Sequence, residues 1–410
     1  MTDLDRPKQV TMTRGPGQAV GLIVTLFVAM AAMPERMLSM QERRIVKDTA
    51  AAGGMASPAI VAGGFVFVSG LIAAGDAGKL DGTDVQAQTR QVLQQLQAGL
   101  EDAGSSLAQV VSVNVYLKQS KDFQTMNDVY REFFAEKAPT RTTVVTDIRD
   151  GALVEMSAIA VPNGTAREVL QPAGWMKSPR PYSYIVRAGG LVFLSGLVSR
   201  RGTDDQPVPG SVSVQVKTIL DNAGTLLRTA GLTHSDVVAA RVFLTDDTYF
   251  EAMNDQYRKY FPVAPPARAT AVTDLVGTDS VVEMTLIAGE GEKQVLGPSV
   301  SPSLPLSPAV RTGKLVFLSG VLGNTAEATD VTAQTKEIFD RIGRTLEAAG
   351  LSFANVVDNI VYLPNLLHRK PVDEVYRSIF PADPPGRTVV GARLVARTGL
   401  IEMMMIAVGR

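Results

Sequence analysis

Three arginines and three glutamates recur at matching places in this chain, and they carry most of its chemical potential. Arg141, Arg268 and Arg387 each follow a proline by two residues, and Glu155, Glu283 and Glu402 each precede a methionine in a closing apolar run. A planar guanidinium captures a carboxylate through two parallel hydrogen bonds. A carboxylate set against an apolar wall has a raised pKa and can act as general base on water. The chain has no cysteine and only two histidines, His234 and His368, at unmatched positions. That rules out thiolate chemistry and sulfur-ligated metals and leaves little for a His-rich metal site, so neither metal nor cofactor is expected. Arginine plus glutamate suits attack of water on an already electrophilic C=N carbon. Amide or phosphodiester cleavage would want a stronger nucleophile or a metal. A competing reading stays open, in which these charges form structural ion pairs closing an interface.

A third repeated polar group is the serine of Ser69, Ser195 and Ser319, each followed by glycine at the end of an apolar strand. Ser-Gly is first a turn signal, and no histidine stands at a repeated position to activate the hydroxyl. The serine therefore reads as a hydrogen-bonding residue and not as a nucleophile.

The elements that must position these groups are written three times. GGFVFVSGL (63–71), GGLVFLSGL (189–197) and GKLVFLSGV (313–321) are one strand, its serines 126 and 124 residues apart. Self-similarity at such a period means tandem copies of one domain. After each strand comes an amphipathic helix, apolar at three- and four-residue steps (Val92, Leu93, Leu96 and Leu100 in the first copy) and stopped by Gly104, Gly231 or Gly350. A β-branched strand follows at 110–117, 237–244 and 356–363, then a second helix, FQTMNDVYREFF (123–134), FEAMNDQYRKYF (250–261) and, more loosely, PVDEVYRSIF (371–380). The Pro-x-Arg strand and the Glu-Met strand close each copy. Stretches rich in Pro, Gly and Ser near 162–181 and 290–308 are expected as linkers. The order predicts an α+β mixed sheet with two helices on one face. Closing strands such as LIEMMMIAV (400–408) are apolar at nearly every position, so the bare face should also be buried. Three copies in a ring, helices outward, would bury it: an internal pseudo-trimer.

These strings resemble the Rid/YjgF family of reactive-intermediate deaminases, also labelled endoribonuclease L-PSP, over nearly everything after about residue 41. The Ser-Gly strand end, the Met-Asn-x-x-Tyr helix, the Pro-x-Arg strand and the Glu-Met-x-x-Ile-Ala strand carry the resemblance. It implies a chorismate mutase-like, YjgF-like fold and ligand sites in clefts between domains. It also implies hydrolysis of enamine or imine carboxylates such as 2-iminobutanoate to the oxo acid and ammonia. In that chemistry Arg141, Arg268 and Arg387 hold the substrate carboxylate, and Glu155, Glu283 and Glu402 position or activate water. Ser69, Ser195, Ser319, Asn127 and Asn254 add polar contacts; the third copy has Asp373 at the asparagine position. The family's tyrosine, thirteen residues before the serine, survives only as Tyr182, against Ala56 and Leu306. The second copy keeps each of these positions, so Tyr182, Ser195, Asn254, Arg268 and Glu283 form the expected working set. Which copy's arginine serves which serine is left open.

Forty basic against forty-one acidic residues give a net charge of −1, with no basic run, which argues against nucleic-acid binding and the ribonuclease reading. A non-catalytic small-carboxylate-binding or chaperone-like protein is the alternative to an enzyme. Ala19–Ala32 is a fourteen-residue uncharged stretch behind Arg6, Lys8 and Arg14, with Ala29-Met30-Ala31 as a small-x-small site. Such a leader predicts export to the periplasm or beyond, without a stable membrane span after processing. A start at Met37 or Met40 would instead leave the protein cytoplasmic. The expected organisation is a leader at 1–40 and domains at 41–166, 167–293 and 294–410, monomeric with internal three-fold pseudo-symmetry.

Overall fold

The computed structural model describes residues 43–46, 55–74, 80, 82–301 and 303–409. The leader at 1–40, with its expected export signal, lies outside the described residues. Each copy begins with a hairpin, Ala59–Ala62 with Phe65–Ile72 in the first, turning at Gly63 and Gly64 with φ of 58° and 84° that suit glycine. Among the described residues six α-helices follow in pairs: α1 (Val85–Asp102) and α2 (Phe123–Phe133), α3 (Val212–Thr229) and α4 (Phe250–Tyr257), α5 (Val331–Ala348) and α6 (Arg369–Ile379). Asp84, Ser211 and Asp330 cap the long helices by accepting from the N–H of Ala87, Val214 and Ala333.

In every copy the two strands that follow the helices pair in parallel, Val110–Leu117 with Thr140–Val145 in the first. The glutamate strand, Val154–Ala160, lies antiparallel between Val110–Leu117 and the hairpin. This centres each sheet on the glutamate strand and leaves the arginine strand toward one edge. The stretches expected as linkers each carry a strand: Arg167–Leu170 and Gln294–Leu296 add to the hairpins of the second and third copies. An otherwise open edge gains ladder hydrogen bonds there, which outweighs the turn-prone composition.

The opposite edges close the ring. Asp274–Leu275 of the second copy pairs with the arginine strand of the first, and Arg393–Leu394 of the third with that of the second. Ile148 of the first copy bridges Val390 on the arginine strand of the third. The buried residues divide accordingly. Three separate cores lie between each sheet and its helices, and one shared core joins all three sheets, with Phe65 and Phe193 at 6.1 Å between ring centroids. The last strand shows why both faces had to be apolar: Met403 and Met405 face the helices, while Met404, Ile406 and Val408 enter the shared core. Among the described residues no helix is long and apolar enough to cross a membrane.

Candidate active site

Each cleft is assembled by two copies in cyclic order. The Arg141 backbone N–H donates to Ser195 Oγ at 2.9 Å, Arg268 to Ser319 at 2.8 Å, and Arg387 to Ser69 at 2.9 Å. Each serine hydroxyl donates in turn to the carbonyl twelve residues before it, that of Ser183, Ser307 or Ser57, at 2.6–2.8 Å. The serine proton is therefore spent on backbone. These hydroxyls staple one copy to the next, and the substrate contact expected of them has no free proton to make it.

The glycine after each serine has an equally direct cause. A Cβ on Gly70, Gly196 or Gly320 would lie 2.1, 2.0 or 1.9 Å from the Oε1 of Glu155, Glu283 or Glu402. The carboxylate of the closing strand rests on that bare backbone, and any side chain there would push it out of place. All three glutamates are buried, and burial pushes their carboxyls above the ordinary range. Glu283 is raised to about 7, against the opposing pull of the Thr143 N–H and the Arg141 guanidinium. Glu402 is raised to about 8, opposed by the Thr270 N–H and Arg268.

The expected working set of Tyr182, Ser195, Asn254, Arg268 and Glu283 is divided by the structure. Tyr182, Ser195 and Glu283 share a cleft with Arg141 of the first copy, while Arg268 and Asn254 face the third copy's Ser319 and Glu402. The arginine strand lies at a sheet edge and meets the following copy, so an arginine never serves its own copy's serine.

The three arginines differ in what holds them. Arg268 donates to Asn254 Oδ1 at 2.7 Å and reaches Met253 Sδ at 3.8 Å. Arg387 is ion-paired with Asp373 at 2.6 Å, the aspartate that replaces the helix asparagine. Among the described residues neither terminal nitrogen of Arg141 has a hydrogen-bond partner, although the side chain is buried, and Asn127 Oδ1 is likewise unpartnered. Arg141 lines a cavity of about 260 Å³ with Phe123, Tyr182, Leu275, Val276 and Glu283. The cleft between the third and first copies is charged differently. Arg149 stands where the other copies have Val276 and Val395, and reaches Glu155 Oε1 at 3.7 Å.

The family profile described as Endoribonuclease L-PSP matches residues 47–162, 175–290 and 298–409. The chain belongs to that family. A RutC family protein of Pyrococcus abyssi is 44% identical over 109 residues, spanning 26% of this chain and 86% of the relative. The 2-iminobutanoate/2-iminopropanoate deaminase of Capra hircus is 34% identical over 125 residues, 30% of this chain and 91% of that protein. A crystal structure of a chorismatase, at 13% identity and TM-score 0.50, covers 73% of this chain and 93% of its own; it shows the fold alone.

Within the three L-PSP copies, one site element went unread in the sequence. Tyr130, Tyr257 and Tyr376, the last residue of each Met-Asn-x-x-Tyr-type string, lie under the guanidinium carbons of Arg141, Arg268 and Arg387 at 4.9, 4.8 and 4.2 Å from the ring centroid. Their signal was recurrence in all three copies, but an apolar helix face explains such a tyrosine equally well. Phe123 and Phe250 add a second ring over Arg141 and Arg268 at 5.7 and 5.9 Å. The third L-PSP copy has Arg369 at that place, ion-paired with Asp150 at 2.9 Å. Tyr182 stands 5.5 Å from Arg141, so that guanidinium alone has rings from both contributing copies.

Proposed function

We propose that the cleft of Arg141, Tyr182 and Glu283 hydrolyses small 2-imino acids to 2-oxo acids and ammonia. The observation that carries this reading is the Arg141 guanidinium, buried on a cavity wall with both terminal nitrogens unpartnered. A buried charge left so is costly unless an occupant of the cavity satisfies it, and a carboxylate does so in bidentate fashion. The rings of Tyr130, Phe123 and Tyr182 enclose the guanidinium at 4.9–5.7 Å and limit its movement. With the carboxylate there, the C=N carbon lies within the same cavity as Glu283, whose carboxyl at about 7 exchanges protons at neutral pH. Glu283 takes a proton from water as the oxygen adds to the C=N carbon and hands it to the nitrogen; it then takes the proton of the new hydroxyl and delivers it to the same nitrogen. Collapse of the carbinolamine breaks the C–N bond, releases ammonia and leaves the oxo acid. The deaminase relative and the family membership support this class of reaction.

The clefts of Arg268 and Arg387 read as structural. Asn254 holds Arg268, and Asp373 neutralises Arg387. Ammonia release from freshly generated 2-iminobutanoate tests the assignment in the Arg→Lys series. Arg141→Lys should lose about 30- to 1000-fold in kcat/KM, the equivalent of about 2–4 kcal/mol for an unpaired charged hydrogen-bonding group. Arg268→Lys and Arg387→Lys should retain activity within about threefold wherever the fold is intact by circular dichroism. Loss centred on Arg268 with Arg141→Lys unimpaired would refute it.

A further inference from the structure

We infer that the cleft between the first and second copies is built for a 2-imino acid whose side chain ends in a second anionic group. This rests on the reading above, in which Arg141 takes the first carboxylate. Two further arginines, Arg180 and Arg200, line the same cavity. Their places are held in the other copies by Gly54 and Leu304, and by Ala74 and Asn324, so they belong to the one copy that kept the tyrosine. Tyr182 links the two ends of the cavity, with its ring against Arg141. Burial opposes the charge of Arg180, but Tyr182 and Asp205 outweigh it and hold the guanidinium firmly protonated.

Arg180 and Arg200 share one carboxylate, Asp205, at 3.0 and 3.5 Å, and Asp279 reaches Arg200 at 3.2 Å from the loop before the glutamate strand. Asp279 lines the same cavity, and the two acids balance the two arginines, so a distal anion there shares them with Asp205 and Asp279. The unbalanced charge lies further out. A second cleft of about 650 Å³ shares Arg180 and Tyr182 with the first and adds Arg131, Lys137 and Lys177 against Glu136. Arg131 is taken by Asp128 at 3.3 Å, which leaves the two lysines in excess over one glutamate.

A hydrocarbon side chain laid along this wall would strip water from two guanidiniums and offer nothing in return. A distal carboxylate or phosphate replaces that water with charge-assisted hydrogen bonds. Phe123, Leu275 and Val276 supply apolar lining to the same cavity for the methylenes.

Calorimetric titration of the full chain with 2-oxobutanoate, 2-oxoglutarate and the distal methyl ester of 2-oxoglutarate separates charge from size. The diacid should bind about tenfold or more tightly than its ester. That ratio should fall about tenfold in Arg180→Gln and be largely restored by Arg180→Lys, which keeps the charge. Because Arg180→Gln also removes an ion pair and can loosen its loop, Lys177→Gln at an exposed position is the second variant; it should lower the ratio about twofold to threefold. Equal binding of diacid and ester, or a ratio untouched by both variants, overturns the inference while leaving the deaminase reading in place. Tight, Arg180-dependent diacid binding without ammonia release from any imine would overturn the deaminase reading and leave only the second anion contact standing. Binding of none of the three would overturn both.

Discussion

The Glu283 carboxyl is the residue on which activity should turn, because burial brings it to about 7 and makes its proton exchangeable at neutral pH. The base form is needed to take a proton from water. For a carboxyl acting as base, activity is present above its pKa and lost as pH falls through it, so kcat/KM should decline below a pH of about 7. Glu283→Gln should reduce turnover about 10²- to 10⁴-fold and abolish that limb, while titration with 2-oxobutanoate still shows binding. A pH profile of the residual activity with the same limb would assign the proton transfer to another group. Tyr182 is the residue most visible in the sequence by contrast with Ala56 and Leu306, and the structure places it in the cleft with the unpartnered arginine. Arg268 was equally visible, yet Asn254 takes its side chain. A residue's type and place in a motif do not reveal whether a neighbour has already satisfied it.

At the scale of elements, the serine strand and the arginine strand of adjacent copies form one joint. Ser195 accepts from Arg141 N–H in a buried bond across the interface and donates to the Ser183 carbonyl of its own copy. Ser195→Ala should leave that N–H unpaired and cost about 1–3 kcal/mol in chemical denaturation. It should reduce kcat/KM by less than about tenfold, since the hydroxyl has no proton to spend on substrate. Unchanged stability with turnover abolished would restore the hydroxyl to the chemistry. The helices were legible from their apolar spacing and glycine stops, and the strands from their β-branched runs. The short pairing strands Arg167–Leu170 and Gln294–Leu296 were not, because composition there signals turns and only an unfilled sheet edge recruits them.

For the whole molecule, the ring closes within one chain: the third copy's arginine strand meets Ile148 and Ser69 of the first. No arginine–serine joint is left for another chain, so light scattering should give a mass near the 43.7 kDa of a single chain. A stable trimer of chains would contradict a closed ring. Stability should also carry the mark of the buried carboxyls. Glu283 and Glu402 are raised to about 7 and 8, so the folded protein holds protons that the unfolded chain releases above its ordinary carboxyl range near 4.5. More protons on the folded state means that stability falls as pH rises. The contribution is whole below about pH 4 and lost progressively up to about pH 8. Denaturation midpoints measured across this window should decline more gently in Glu402→Gln, and an identical slope would show that this carboxyl does not titrate there.

The sequence by itself determined the triple repeat, the α+β order of each copy, the two-faced burial of the closing strands and the residue types available for chemistry. Those are properties of periodicity and composition, which act locally along the chain. Only the tertiary structure decided that Arg141 and not Arg268 meets Tyr182 and Glu283. The arginine strand stands at a sheet edge, and its partner is set by how three sheets pack around a shared core, over separations of 51 to 318 residues between arginine and serine. Packing likewise decided which guanidinium stays unpartnered: Asn254 and Asp373 meet the arginine fourteen residues later in their own copies, while Asn127, at the matching position, makes no such bond to Arg141.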